Sequence, residues 1–221
     1  MRLGVIADIH GNLPAFEAVL DAMPPVDQLV CLGDIVGYNP WPRECVEVVR
    51  DVADIVVQGN HDRVVDDPNA YSQNEMAQAG IRYAHKQLSR EDCNWLCSLP
   101  DRRAVDEFLV VHSHPDPEML DTYVLPRDFP RMRPYLDEYA GILIGHTHIQ
   151  HEAVIDGRLI LNPGSVGQPR DKDPRAAYAI VDTVSLETEL CRVEYPIGEV
   201  LSAIESAGLP SGTGERLVDG R

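Results

Sequence analysis

The stretch Ile55-Val56-Val57-Gln58-Gly59-Asn60-His61-Asp62 decides how the chain is read. Three apolar β-branched residues describe a short buried strand. A Gly with Asn, His and Asp just past its end lies where an open α/β sheet gathers its ligand chemistry. Four more polar clusters follow apolar runs in the same way: Asp8-Ile9-His10, Gly33-Asp34, His112, and Gly145-His146-Thr147-His148. Any one of them alone reads as an ordinary polar turn. Together, all at strand ends, they point to a single metal centre at one edge of a sheet.

The segments between these clusters supply the scaffold. Leu3 to Ala7 is a strand, and Asn12 caps a helix that carries Pro14 in its first turn and Phe16, Val19, Leu20 and Met23 at helical spacing. Leu29 to Leu32 is a second strand. A helix opens at Pro40-Trp41-Pro42, and Ile55–Val57 is the third strand. This β-α-β-α-β order is the signature of a parallel sheet with crossover helices. Residues 64–72 are polar and irregular. Asn74 to Gln87 is a helix, and Ser89-Arg90-Glu91-Asp92 is a capping box opening another. Ala104 to Val111 predicts a hairpin running into His112. Pro115, Pro117, Pro126 and Pro130 predict a loop over the site, and a short helix is expected near 131–139. Ala153 to Leu161 around Asp156-Gly157 is a hairpin. Strands at 177–181 and 189–195 and a helix at 198–207 complete the chain. Residues 1–208 are expected to form one domain, with 209–221 a flexible tail because of its glycines.

The clusters share one chemistry. Asp8 and His10 are two apart, as are His146 and His148, and in extended backbone such pairs point to one side. Asp34, Asn60 and His112 come from three other strand ends. Two carboxylates, four imidazoles and an amide are too many for one tetrahedral zinc and suit two five- or six-coordinate ions. A bridging carboxylate holds two cations about 3.5–4 Å apart, and Asp34 is the natural bridge. Two such ions clamp a phosphate and acidify a shared water, so that hydroxide exists near neutral pH. His61 belongs over the substrate, where it can steady phosphoryl charge or protonate the leaving oxygen. Asp62 either orients that ring or caps the following turn. Mixed donors of this kind accept Mn, Fe, Zn, Co or Ni, with Mn²⁺ the first choice here.

Asp8-x-His10, Gly33-Asp34, Gly59-Asn60-His61-Asp62, His112 and Gly145-His146-x-His148 resemble the calcineurin-like metallophosphoesterases over roughly residues 3 to 182. The resemblance implies a four-layer α/β/β/α sandwich and a dinuclear centre. One metal would take Asp8, His10, Asp34 and His148, and the other Asp34, Asn60, His112 and His146, with His61 the catalytic imidazole and Asp62 beside it. Asn162-Pro163-Gly164-Ser165-Val166-Gly167-Gln168-Pro169-Arg170 looks like the small, compact phosphodiesterase branch. Arg170 either contacts substrate there or braces the loop. The branch usually has His-Gly-Ser-Pro where this chain reads His112-Ser113-His114-Pro115. Ser113 can therefore restrict the backbone, and His114 is an extra imidazole that could ligate or face solvent.

Composition limits the partners. The chain has 221 residues, 44% of them apolar, and a formal charge of −17. That charge opposes duplex nucleic acid and anionic membranes, and no basic stripe argues for a nuclease. No apolar run is long enough to span a membrane, and Asp8 interrupts any signal-peptide core, so a cytoplasmic protein is expected. Five Cys are scattered: Cys31 in an apolar run reads as a core residue, and Cys93 and Cys97, on one helix face, read as buried thiols rather than as a disulfide or a metal pair. Lys stands only at 86 and 172, and an acidic, Lys-poor surface resembles proteins of salt-in halophiles; loss of structure on dialysis into low salt is the expected outcome. The expected substrate is a small phosphate ester, with a nucleotide more plausible than a duplex. The alternatives are a phosphomonoesterase or protein phosphatase of the same fold, and a metal-binding interaction scaffold. Loops at 36–43, 64–73 and 113–130 would set specificity, and the oligomeric state stays open.

Overall fold

The computed structural model describes residues 1–221. Ten strands form two five-stranded sheets. In the first, β1 (Arg2–Ile6), β2 (Gln28–Cys31) and β3 (Ile55–Val56) run parallel, joined by α1 (Leu13–Ala22) and α2 (Pro42–Val52). The late strands β9 (Ala176–Asp182) and β10 (Thr188–Val193) add antiparallel on the other side of β1. The second sheet takes β4 (Arg102–Val105), β5 (Phe108–Val111), β6 (Gly141–Leu143), β8 (Arg158–Asn162) and β7 (His151–Ile155), in that order.

Period-two alternation assigns each strand's faces. Leu3, Val5 and Ala7 of β1 and its extension meet Val110, Leu143 and Leu161 of the second sheet in a core between the sheets. Ile6, Leu29, Cys31, Tyr178 and Ile180 point the other way, into the helices. Leu109, Ile142 and Ile160 leave the far face of the second sheet for Phe129, Met132 and Leu136. The architecture is the expected α/β sandwich of two mixed sheets flanked by helices. All the interrupted strand ends, at residues 8, 34, 60, 112 and 146, therefore open on one edge of the sandwich.

Local signals explain most element boundaries. Asn12 Oδ1 accepts from Ala15 N at 3.3 Å, Asn74 Oδ1 accepts from Ala77 N at 3.3 Å, and Ser89 with Asp92 closes a capping box. They open α1, α4 (Glu75–Gln87) and α5 (Arg90–Ser98). Two expectations are corrected. The helix near 131–139 is a 3-10 run over Pro126–Leu136. Pro130 and Pro134 inside it lack the N–H groups that an α-helix needs. The tail is not frayed: α6 (Ile197–Ser206) is followed by α7 (Ser211–Asp219), which buries Thr213, Gly214 and Leu217. Glycine there allows close approach, since a Cβ on Gly214 would lie 2.6 Å from Leu201 Cδ2. All five cysteines are free; Cys31 and Cys93 are buried as expected, and a further expectation is corrected at Cys97, which is exposed.

Candidate metal centre

Asp8 and His10 follow β1, Asp34 follows β2, Asn60 and His61 open the four-residue α3 (Asn60–Arg63), His112 follows β5, and His146 and His148 follow β6. All are buried. The extended geometry assumed for the two-apart pairs is not what the chain adopts. Asp8, His10, Asp34, His146 and His148 have φ of 55, 49, 53, 67 and 59°, all in the left-handed region. Such backbone costs an L-residue on the order of 1–3 kcal/mol and persists only where the surroundings fix it, as at functional sites.

Asp62 does that fixing at Asp34. Its Oδ2 accepts from Asp34 N at 2.8 Å and Gly59 N at 3.0 Å, and its Oδ1 from Ile35 N at 2.9 Å and Val36 N at 3.3 Å. Burial and the neighbouring Asp34 charge push its carboxyl up to about 7, while the N–H groups pull the other way. Both oxygens serve the turn after β2, and none of these contacts is to the His61 ring, whose Nδ1 is buried without a partner. This corrects the orienting, catalytic reading of Asp62: a carboxylate already holding four N–H groups has no geometry left for the imidazole. Gly59 lets the two turns touch, since a Cβ there would sit 2.1 Å from Asp34 N and Oδ1.

The donors gather in two overlapping groups. His148 Nε2 lies 3.3 Å from Asp8 Oδ1 and 3.1 Å from His10 Nε2. His112 Nε2 lies 3.0 Å from Asn60 Oδ1 and 3.2 Å from His146 Nδ1. Asp34 Oδ2 stands between them, 3.6 Å from His10 Nε2 and 3.5 Å from His112 Nε2. The opposite nitrogen of each imidazole meets a main-chain carbonyl: His10 Nδ1 that of Val36 at 3.1 Å, His112 Nδ1 that of Leu32 at 2.7 Å, His148 Nδ1 that of Gln168 at 2.6 Å, and His146 Nε2 that of Asp121 at 3.0 Å. A carbonyl only accepts, so each ring donates outward and turns its lone pair inward.

That donor set fits cations. The inward lone pairs of His10 and His148 would face each other across 3.1 Å, and Asp8 Oδ1 is buried without a hydrogen-bond partner. Both are costly arrangements that a positive ion relieves. Burial pushes His112 down, but the Asp34 and Asp8 carboxylates outweigh it and raise it to about 10. Burial pushes Asp8 up, and the His148 and His112 imidazoles outweigh it, bringing it to about 2.

A cavity of about 320 Å³ opens over Asp34, Asn60, His61, His146 and His148. Burial pushes the His61 ring down to about 4, so it is neutral at neutral pH. Three residues that sequence reasoning did not single out wall the cavity, although each falls in a loop expected to set specificity. Tyr71 stacks on His61 at 4.9 Å and its hydroxyl accepts from Asn60 Nδ2 at 2.5 Å. Tyr123 stacks on His146 at 4.4 Å and is 51% exposed. Tyr38 packs edge-on to His10. The available signal was an aromatic residue in a polar loop. Of the two roles open to Arg170, the brace is seen: Nη2 meets Gln168 Oε1 at 2.8 Å, and the guanidinium also lines the cavity without a carboxylate partner.

His114 turns away from the donors. Its Nδ1 accepts from Asp116 N at 3.0 Å and its ring packs edge-on to Tyr135, so it neither ligates nor faces solvent. Ser113 causes no left-handed strain, and its Oγ accepts from Asp121 N at 2.9 Å. Elsewhere Asp66, His85 and Cys93 also come within 4.8 Å of one another, but two of them are exposed and His85 Nδ1 already meets the Val65 carbonyl.

Known proteins share this sequence and shape. The sequence model of the calcineurin-like phosphoesterase superfamily domain matches residues 1–186. The chain is 36% identical to an uncharacterised protein of Methanocaldococcus jannaschii, over 99% of this chain and 98% of that one. It is 28% identical to the phosphodiesterase YfcE of Escherichia coli, over 82% of this chain and 88% of that one. The crystal structure of a metallophosphoesterase from Sphaerobacter thermophilus superposes with a TM-score of 0.86 at 38% identity, covering 100% of this chain and 99% of the other. No helix is long and apolar enough to cross a membrane. The chain thus belongs to the calcineurin-like phosphoesterase superfamily and is a metal-dependent phosphoric ester hydrolase.

Proposed function

We propose that this protein is a cytoplasmic phosphodiesterase that cleaves a small diester, a nucleotide among the candidates, with two divalent cations held over a shared Asp34. The observation that carries the reading is the place of Asp34 Oδ2, 3.6 and 3.5 Å from the inward nitrogens of His10 and His112. Asp8, His10 and His148 would complete one ion position, and Asn60, His112 and His146 the other. Bound there, the ions, Mn²⁺ first among the candidates, would supply charge for the phosphoryl oxygens and acidify a water.

The remaining steps fall to side chains. His61, neutral and lining the cavity, offers a ring N–H to a phosphoryl or leaving oxygen. Arg170, fixed by Gln168 Oε1, presents an unneutralised guanidinium to the diester charge. Tyr71 and Tyr123 give the cavity flat aromatic walls, which suit a nucleobase or aryl ester group. The relative named a phosphodiesterase supports the diester over the monoester.

The test is hydrolysis of bis-p-nitrophenyl phosphate against p-nitrophenyl phosphate, in high salt with Mn²⁺ and with chelator, for the wild type, His61→Ala and Asp34→Asn. Metal-dependent turnover that favours the diester and falls in both variants is the expected result. Faster monoester cleavage would move the assignment to a phosphatase. No turnover by folded, metal-loaded protein on either ester would contradict the proposal.

A further inference from the structure

Three of the four inward-facing imidazoles are oriented by deeply placed carbonyls. Leu32 directly follows β2, Val36 lies in the turn that Asp62 holds, and Gln168 lies in the buried 163–169 loop. His146 is the exception. Its Nε2 donates to the carbonyl of Asp121, a residue at φ 65° in the loop between β5 and the 3-10 run, with its side chain 42% exposed. A non-glycine residue in that conformation needs outside restraint.

The restraint comes from α3. Arg63, directly after Asn60-His61-Asp62, sends Nη1 to both Asp121 oxygens at 2.9 and 2.8 Å. The same guanidinium is anchored by Nη2 to Asp101 Oδ1 at 3.0 Å and Nε to Gln58 Oε1 at 3.2 Å. Ser113 Oγ takes Asp121 N from the other side at 2.9 Å. Two residues on, Tyr123 lies flat on the His146 ring. The side-chain pair from Arg63 thus ends, through one carbonyl, on one donor.

We infer that Arg63 is a positioning residue for His146: by clamping Asp121 it sets the orientation of that ring, and so tunes the ion position built on Asp34, His112 and His146 without touching the one built on Asp8, His10 and His148. The inference rests on the two-ion reading above. It also accounts for the serine beside His112, whose hydroxyl is the second hold on Asp121. Partners that orient a metal-ligating histidine typically change affinity by about 10–100-fold.

Calorimetric titration of the metal-free full-length protein with Mn²⁺ tests this, using wild type, Arg63→Ala, Arg63→Lys and Asp121→Asn, with the melting temperature of each metal-free variant measured alongside. Asp121→Asn keeps the carbonyl and weakens only the clamp, so it serves if Arg63→Ala fails to fold. The wild type is expected to show two binding events. In Arg63→Ala and Asp121→Asn one event weakens about 10–100-fold while the other is unchanged, and Arg63→Lys recovers part of the loss. Two unchanged events would overturn the inference, as would equal weakening of both together with a lowered melting temperature, which marks Arg63 as fold support alone. A wild type that takes up fewer than two ions would instead overturn the two-ion reading, and this inference with it.

Discussion

The floor of the cavity and its rim are built on different principles. On the floor, Asp8, His10, Asp34, His112 and His148 are fixed largely by main-chain groups: four N–H groups on Asp62 and carbonyls from Leu32, Val36 and Gln168. On the rim, Tyr71, Tyr123 and Asp121 stand on irregular loops and are held by side-chain contacts to Asn60, His146 and Arg63. Main-chain restraint cannot be removed by changing one rim residue, whereas side-chain restraint can. Floor substitutions should therefore abolish function or folding, and rim substitutions should scale it.

The largest effect is expected for Asp62→Ala. It strands the N–H groups of Asp34, Ile35, Val36 and Gly59 in a buried turn, at a cost of about 3–5 kcal/mol. Thermal melting should fall sharply and metal uptake with it. If Asp62→Ala instead melted like the wild type and lost only kcat, the catalytic reading of this carboxylate would be restored. His61→Ala comes next, with kcat lowered by about 10²–10⁴-fold and metal content unchanged. Loss of metal in that variant would move His61 from the substrate side to the floor.

A proton count sharpens the same comparison. His112, raised from its ordinary 6.5 to about 10, lends the metal-free fold stability that is complete below 6.5 and lost as pH rises through about 10. An ion needs the neutral ring, so binding near pH 8 should release about one proton per chain. Calorimetry in buffers of differing ionisation enthalpy measures this, and no buffer dependence would place His112 outside the ligand set. The smallest expected effect is at the rim. Tyr123→Ala should raise KM for an aryl or nucleobase diester by about tenfold and leave kcat within a factor of a few.

How much of this could be read from the sequence follows the same division. The floor residues announce themselves because a carboxylate or imidazole after an apolar run has few structural uses, and five such sites repeat the message. Their local geometry is another matter. Asp-x-His suggests an extended pair, yet both residues are left-handed, their N–H groups held by the carbonyls of Gly33 and Asp34 at 3.0 and 2.9 Å. The carbonyls of Val36, Asp121 and Gln168 have no sequence signature at all, since any residue carries one. The role of Asp62 was ambiguous for the same reason: its partners are N–H groups contributed by Ile35 and Val36, whose side chains say nothing about it. Among the elements, α7 was hidden by its glycines, which look like a breaker until the close approach of α6 is seen. The 3-10 run was hidden by prolines that forbid one kind of helix and permit another.

The central claim is that Asp34 is shared by two ions. Metal content per folded chain, measured by elemental mass spectrometry after Mn²⁺ loading and desalting of the wild type and Asp34→Asn, tests it most directly. The account predicts two ions in the wild type and at most one in the variant. A single ion in the wild type, or two retained by Asp34→Asn, would contradict it.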